Sequence, residues 1–277
     1  MFDISSPVAM QRAKGRAFAR FDLRHGAVRL ADLAQSGSAR ILLPRVGGPV
    51  PEVVFLNTSG GLTGGDMLDL SLDLAPGVRL VTTTQTAERA YSSGGISAAV
   101  QVTARVGAGG RLDWLPQETI LFQGANLSRQ TQIDLDRGAA CLVSESLVLG
   151  RLAMGEVLHE ARLIDHRQIR RQGRPVWVET FRLDDAVLAR RHSPALFGNA
   201  HALGVVALVA QGAEDAAAPL AALGVPGAQI AASGWDGRCL ARVLAPDGLT
   251  LRKAMAEIIK RLSARPLPRV WLSGGTL

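Results

Sequence analysis

Apolar and polar residues alternate along most of the first 210 positions, with the period of two that is typical of β-strands. The clearest run passes through Leu68, Leu70, Leu72 and Leu74, which are separated by polar residues. Helical periodicity is absent from this part of the chain. The pattern therefore predicts a mainly β body over about residues 16–210.

Glycine turns recur between these strands at a nearly constant spacing. Gly77, Gly109, Gly138 and Gly173 each precede a strand, and successive glycines lie 32, 29 and 35 residues apart. Recurrence near this period indicates stacked units that share a continuous core. We predict a β-helix-like or solenoid-like stack of sheets; a β-sandwich with coincidental turn spacing is the alternative.

The pattern changes after about residue 185. Apolar residues at helical spacing, among them Leu251, Met255 and Ile259, predict a helix over about residues 249–263, with Asp247 as its cap. A second helix is predicted over about residues 215–223, and strands over 200–210 and within 229–243. Residues 1–277 thus read as one domain, in which 211–277 form a small C-terminal α+β segment with two helices.

A loop of small residues interrupts the alternation at positions 57–66. Asn57 opens this motif loop, Asp66 closes it, and two glycine pairs lie between them: Gly60, Gly61, Gly64 and Gly65. Such pairs suit dihedral angles barred to other residues, or a close approach to the main chain. Spacing favours a tight turn between strands over a loop that faces a partner or a polar channel. Phosphate binding is disfavoured, because an acid and a strand pattern follow Gly65.

Polar residues recur at corresponding places in the repeat. Gln85, Glu118 and Glu145 each follow a turn glycine by seven to nine residues, and Asp66 lies in the motif loop. Stacked units would align such side chains in a column that could pass a divalent cation. Strand ends capped in solvent are the plainer alternative. A hydrolase that uses Glu118 or Glu145 as a base is the enzymatic alternative, although no catalytic signature accompanies either residue.

Composition narrows the possible partners. The formal charge is +7, but 28 of the 31 basic residues are arginines spread along the chain, and there is one tyrosine. Without an aromatic ladder for stacking bases, nucleic-acid binding is not predicted. No basic-then-apolar leader opens the chain, and the apolar run at 203–210 is too short to span a bilayer. We therefore predict a cytoplasmic protein without membrane contact.

Several long blocks of the sequence resemble the urease accessory protein family UreD, also called UreH. They occur in the family's order between about Arg16 and Trp271, and Thr58 and Ser59 stand where many relatives carry two prolines. The blocks are 57–66, 83–91, 112–122, 145–151 and 155–156.

The resemblance implies a non-enzymatic scaffold with no tightly bound cofactor. Members of the family bind UreF, which recruits the GTPase UreG, and the assembly docks on apo-urease to deliver nickel. The family fold is a β-helix-like stack with two helices, and it is thought to carry an internal nickel passage. By register, we predict Asp66, Gln85, Glu118 and Glu145 as its lining here, with transient Ni²⁺ contact only.

Overall fold

Residues 11–45, 50–263 and 265–272 are described by a computed structural model of the chain. The N-terminal segment on which the cytoplasmic prediction rests lies outside these residues. The strands are β1 Lys14–Arg24, β2 Ala27–Gly37, β3 Ala39–Leu42, β4 Glu52–Asn57, β5 Met67–Leu74, β6 Arg79–Thr84, β7 Glu88–Ala90, β8 Ala98–Val106, β9 Arg111–Trp114, β10 Thr119–Leu121, β11 Ala125–Leu135, β12 Ala140–Leu149, β13 Ala161–Arg171, β14 Arg174–Leu183, β15 Ala202–Val209, β16 Gln229–Trp235 and β17 Arg238–Ala245. The helices are α1 Asp185–Ala189, α2 Ala217–Ala221, α3 Gly248–Leu262 and α4 Arg269–Leu272, with 3₁₀ turns at Leu152–Met154 and Ala213–Ala216.

The strands of the described residues form two sheets that face each other. Sheet A has the order β14-β13-β11-β8-β5-β1-β2, and sheet B has the order β16-β17-β15-β12-β9-β6-β4-β3. In the middle of both sheets the neighbours are parallel, because the chain passes from one sheet to the other and returns one strand further along. The mainly β, solenoid-like prediction is confirmed.

The coil register follows the spacing of the turn glycines. Leu80 pairs with Leu112, and Leu112 pairs with Cys141, which are offsets of 32 and 29 residues. The turns themselves stack, since the Gly77 amide donates to the Ala108 carbonyl and the Gly109 amide donates to the Arg137 carbonyl. Gly77, Gly109 and Gly138 all have φ between 66° and 74°, which side-chain-bearing residues rarely adopt.

The fourth predicted unit is not a coil. Gly173 lies at the tip of a hairpin in which β13 and β14 pair antiparallel. Gln172 and Gly173 both have positive φ, as a tight hairpin turn requires. Antiparallel strands also flank the stack elsewhere: β1 with β2, β3 with β4, and β12 with β15. The parallel coils are therefore bounded at both ends.

Alternation places every second side chain of a strand between the sheets. In β8 the inward residues include Val100, Val102 and Ala104, which are buried, while Gln101 and Arg105 point outward and are exposed. The inward residues of both sheets form one continuous apolar core. This interior is where the candidate site lies.

The C-terminal helices pack on the outer face of sheet B. Helix α3 buries Leu251, Met255 and Ile259 in a second apolar cluster with residues of β12, β15 and β17. The Asp247 carboxylate caps it by accepting from the Thr250 amide at 2.8 Å, as predicted. The predicted helix at 215–223 is a 3₁₀ turn followed by α2. Helices α1 and α4 were not predicted, because four or five residues show too little periodicity.

Candidate functional site

The motif loop is held by its own polar side chains. Asp66 is buried, and its carboxylate accepts from the amides of Ala13 and Thr63, each at 2.8 Å. The Asn57 amide group donates to Glu88 at 3.2 Å, and its oxygen accepts from the Ser59 hydroxyl at 2.6 Å. Asp66 therefore stabilises the loop by accepting hydrogen bonds, and the Asn57 side chain is turned toward Glu88 in the interior.

Two motif-loop glycines lie where the backbone passes very close to other chain segments. A Cβ on Gly61 would stand 2.3 Å from the ring of Tyr91, and a Cβ on Gly64 would stand 2.2 Å from the Ser93 carbonyl oxygen. Neither distance is compatible with a side chain. Close packing against a neighbouring segment of the chain therefore accounts for glycine at these two positions.

Three cavities follow one another between the sheets. The loop cavity, about 50 Å³, is lined by Asn57, Gln85 and Glu88 among others, and the central cavity, also about 50 Å³, is lined by Glu88, Gln117 and Glu145 among others. These two cavities share Leu68, Leu70, Thr84 and Glu88. The series runs across the strands, from the motif loop toward the hairpin β13–β14.

The third cavity opens beside the hairpin. This arginine cavity, about 200 Å³, is lined by Arg129, Glu145, Arg167, Glu179 and Arg242 together with apolar residues. It shares Arg129 and Glu145 with the central cavity. Gln85 at the loop cavity is exposed, and the Arg242 side chain at the other end is 58% exposed, so both ends of the series reach the surface.

Ion pairs of alternating charge surround the junction of the central and arginine cavities. The Arg129 guanidinium donates to both carboxylate oxygens of Asp165, at 3.0 and 2.6 Å, and its Nη1 lies 2.7 Å from Glu145 Oε2. Arg167 binds Asp165 from the other side and donates to Glu179 at 3.0 Å. Arg242 then reaches Glu179 at 2.5 Å. The chain of charges thus extends from the interior to the surface.

Burial raises the pKa of two of these buried carboxyls, whereas arginines lower the pKa of a third. Burial raises the pKa of Glu145, and the positive charge of Arg129 opposes this effect only in part. Burial acts on Asp165 as well, but Arg129 and Arg167 together outweigh it and lower the pKa of that carboxyl. Burial also raises the pKa of Glu88, against the opposing hydrogen bond from Asn57. Glu88 and Glu145 are thus the weakly compensated acids of the central cavity.

Comparison with known proteins identifies the family. The family model described as "UreD urease accessory protein" matches residues 13–272. A protein of Cereibacter sphaeroides named urease accessory protein UreD is 55% identical over 95% of this chain and 96% of its own length. Proteins of the same name from Paracoccus denitrificans and Rhizobium leguminosarum are 47% and 39% identical, each over 98% of this chain and 96% and 99% of their own lengths. The chain belongs to the UreD family of urease accessory proteins.

The structure of this UreD-family member separates the four residues predicted as a column. Glu145 lines both the central and the arginine cavity, and Gln85 lines the loop cavity. Asp66 and Glu118 line none of the three. Asp66 is turned into its own loop, and Glu118 faces helix α3, where Arg252 lies 3.5 Å away. The single-column arrangement is therefore wrong, because loop residues do not keep the inward-facing alternation of strands.

Sequence reasoning missed most of the charged residues at the cavity junction. Arg129, Asp165, Arg167 and Glu179 lie here, and Glu88 lies where the loop and central cavities meet. A signal was present in the alternation of the strands. In β11, Arg129 stands at an inward position between Leu127 and Ile133, and in β13 Asp165 and Arg167 also stand at inward positions. A charge at a core position of an alternating strand indicates a buried ion pair.

The side chains that could serve in catalysis or metal binding are dispersed, or bound to other side chains, within the described part of the chain. Within them, no cluster of three His, Cys, Asp or Glu side chains could hold a metal ion. Cys141 and Cys239 are buried and unpaired, and burial raises the pKa of the Cys141 thiol to about 12. The alternative bases Glu118 and Glu145 are each bound by an arginine. Of the helices in the same residues, none has the length and apolar character needed to cross a bilayer.

Proposed function

We propose that this chain is a non-enzymatic scaffold and chaperone in urease maturation, one that docks on apo-urease with UreF and UreG and offers nickel an interior path. Membership of the UreD family supports the role in maturation. The observation that carries the path is the series of three cavities with shared walls, open at both ends. The cytoplasmic location remains a prediction.

The side chains along the series suit a passing ion better than a stored one. Glu88 and Glu145 offer carboxylates, and Thr84 offers a neutral hydroxyl oxygen. These are replaceable ligands for a borderline cation, in contrast to a closed set of Cys and His.

Occlusion of the path tests the proposal. Leu70 lines both the loop and the central cavity, whereas Leu72, two positions further along β5 and facing the same interior, lines none of the three. Leu70→Trp should fill the narrow section and lower the nickel content of urease matured with it. Leu72→Trp is the matched control, because it imposes a similar overpacking cost, about 1–3 kcal/mol, away from the path.

The measurement is nickel per urease active site, alongside capture of UreF and UreG by each variant. Reduced loading with Leu70→Trp, at intact assembly and with normal loading by Leu72→Trp, supports the path. Equal loading by both variants at intact assembly would leave the chain a docking scaffold without a path. Turnover of any substrate by the purified chain, abolished by Glu118→Gln or Glu145→Gln, would contradict the non-enzymatic role.

A further inference from the structure

Arg129 stands where the central and arginine cavities meet. Its side chain is 8% exposed, it belongs to the walls of both the central and the arginine cavity, and two acids approach it from different strands. Asp165 on β13 binds it through two hydrogen bonds, Glu145 on β12 lies 2.7 Å from it, and Thr119 accepts from it at 3.1 Å. A guanidinium therefore fills the position between two buried carboxylates.

That position would hold a cation strongly. Two carboxylates removed from water attract positive charge strongly, and a buried acid without a partner is costly. With a metal ion between them, Glu145 and Asp165 would form a site from which release is slow. With Arg129 between them, the charge is already balanced, and an arriving dication meets repulsion from the guanidinium.

We infer that Arg129 is a resident counter-ion that sets the nickel affinity of the interior path, holding it low enough for the ion to move on. This inference rests on the proposed nickel path and deepens it. Arg129 thus lowers the affinity for the ion, and Glu145 is the residue that meets it. Asp165 serves to keep the guanidinium in place.

The contacts of the two acids differ in the way this role requires. Asp165 accepts both hydrogen bonds from Arg129 and is also bound by Arg167, so the Arg129–Asp165 pair is firmly fixed. Glu145 Oε2 accepts no well-directed hydrogen bond among the described residues despite its closeness to Arg129. Its other oxygen accepts one long bond, 3.3 Å, from the Trp114 indole. Glu145 is the acid that can turn toward an ion in the central cavity, where Glu88 also lies.

Equilibrium binding of Ni²⁺ to the complex with UreF tests the inference without urease. Arg129→Met removes the positive charge and should lower the Kd for Ni²⁺ by about tenfold or more, since a neighbouring unit charge contributes more than the energy of a tenfold change. Arg129→Lys keeps the charge and should bind Ni²⁺ as the unchanged protein does. Arg129→Met combined with Glu145→Gln should lose the gained affinity.

Arg170→Met is the matched control. Arg170 also joins β11 to β13 through a bidentate pair, with Asp134 at 2.6 and 3.0 Å, but on the outer face of sheet A. Its removal should leave Ni²⁺ affinity unchanged. Should Arg129→Met fail to assemble with UreF, Arg129→Gln removes the charge but keeps a side-chain donor for Asp165, and it serves in its place with the same expected fall in Kd.

An unchanged Kd in the assembled Arg129 variant would overturn the counter-ion role, whatever the occlusion experiment shows. A lowered Kd together with normal nickel loading by Leu70→Trp would keep the counter-ion role and refute the path. When both ideas hold, Arg129→Met binds Ni²⁺ more tightly and delivers it to urease more slowly, because the ion is retained.

Discussion

At the scale of single residues, the motif loop shows a requirement for glycine that has nothing to do with unusual dihedral angles. Gly64 has no positive φ, yet the carbonyl oxygens of Ser93 and Ile96 lie 2.2 and 2.6 Å from where its Cβ would stand. Backbone atoms of a stacked neighbour cannot move aside as a flexible side chain can. The absence of a side chain at this position lets the motif loop pack directly on the next coil.

Gly64→Ala should therefore destabilise the fold by about 1–3 kcal/mol, the usual cost of forcing an extra group into a packed interior. Gly224→Ala is the control, because Gly224 has no positive φ and no neighbouring atom lies within 4 Å of where its Cβ would stand. That change should be neutral or stabilise by about 0.4–1 kcal/mol through the unfolded chain. Urea denaturation of the two variants checks the difference, and equal midpoints would refute the packing argument.

The buried Glu88 predicts in which direction stability changes with pH. Burial raises the pKa of Glu88 above its ordinary value of 4.5. The folded chain thus holds this proton more tightly than the unfolded chain, so its contribution to stability is complete below pH 4.5 and falls as the pH rises through the raised value. Glu88→Gln carries no such charge and should lose less stability between that pH and neutrality.

Denaturation midpoints at the two ends of this range measure the effect. Glu257→Gln is a control of opposite sign: the hydrogen bonds from Lys260 and Arg261 lower the pKa of Glu257, so the unchanged residue contributes stability above its ordinary pKa and loses it as the pH falls. The same pH dependence in Glu88→Gln and the unchanged protein would show that Glu88 is hydrated in the fold.

At the scale of elements, a row of alternating charges crosses the outer face of sheet A. Five neighbouring strands place these residues directly opposite one another: Arg20, Asp73, Arg105, Asp134 and Arg170. A slip of one coil by one residue would move a member of this row to the inner face. Together with the alternation of apolar residues, the row therefore fixes the register between neighbouring coils.

Reversing one charge in the row should lower the free energy of unfolding, and reversing its partner as well should restore part of it. Asp134→Arg places like charges beside Arg105 and Arg170 and should cost about 1 kcal/mol, as expected of partly exposed cross-strand pairs. Adding Arg170→Asp should recover part of that loss. A thermodynamic cycle from chemical denaturation, with the two single variants and the double variant, checks the coupling; strictly additive effects would mean that the row is not interacting.

The coils could be predicted from the sequence because their turns need glycine at a repeating position. The 32- and 29-residue spacings of Gly77, Gly109 and Gly138 reappear as strand register. Gly173 was misread because a hairpin also ends a strand with glycine, and spacing alone does not say whether the next strand continues or turns back. The preceding Gln172, also in the left-handed region, marks the difference in the structure.

The site was less predictable than the fold. Glu145 lies on a strand, and its place in the repeat put it correctly between the sheets. Asp66, Gln85 and Glu118 lie in loops, where the direction of a side chain depends on contacts made far away in the sequence. Arg129 finds its acid 36 positions further along the chain, so the pair becomes visible only when the coils are stacked.

At the scale of the whole molecule, the antiparallel strands at both ends of the stack set its length. From β4, at the loop cavity, to β17, at the arginine cavity, sheet B advances by five strand spacings. At about 4.8 Å per spacing, the two openings are roughly 24 Å apart along the stack. The molecule is thus a spacer of set size: inserting one coil would move its two openings apart by a single strand width and leave both surrounding surfaces as they are.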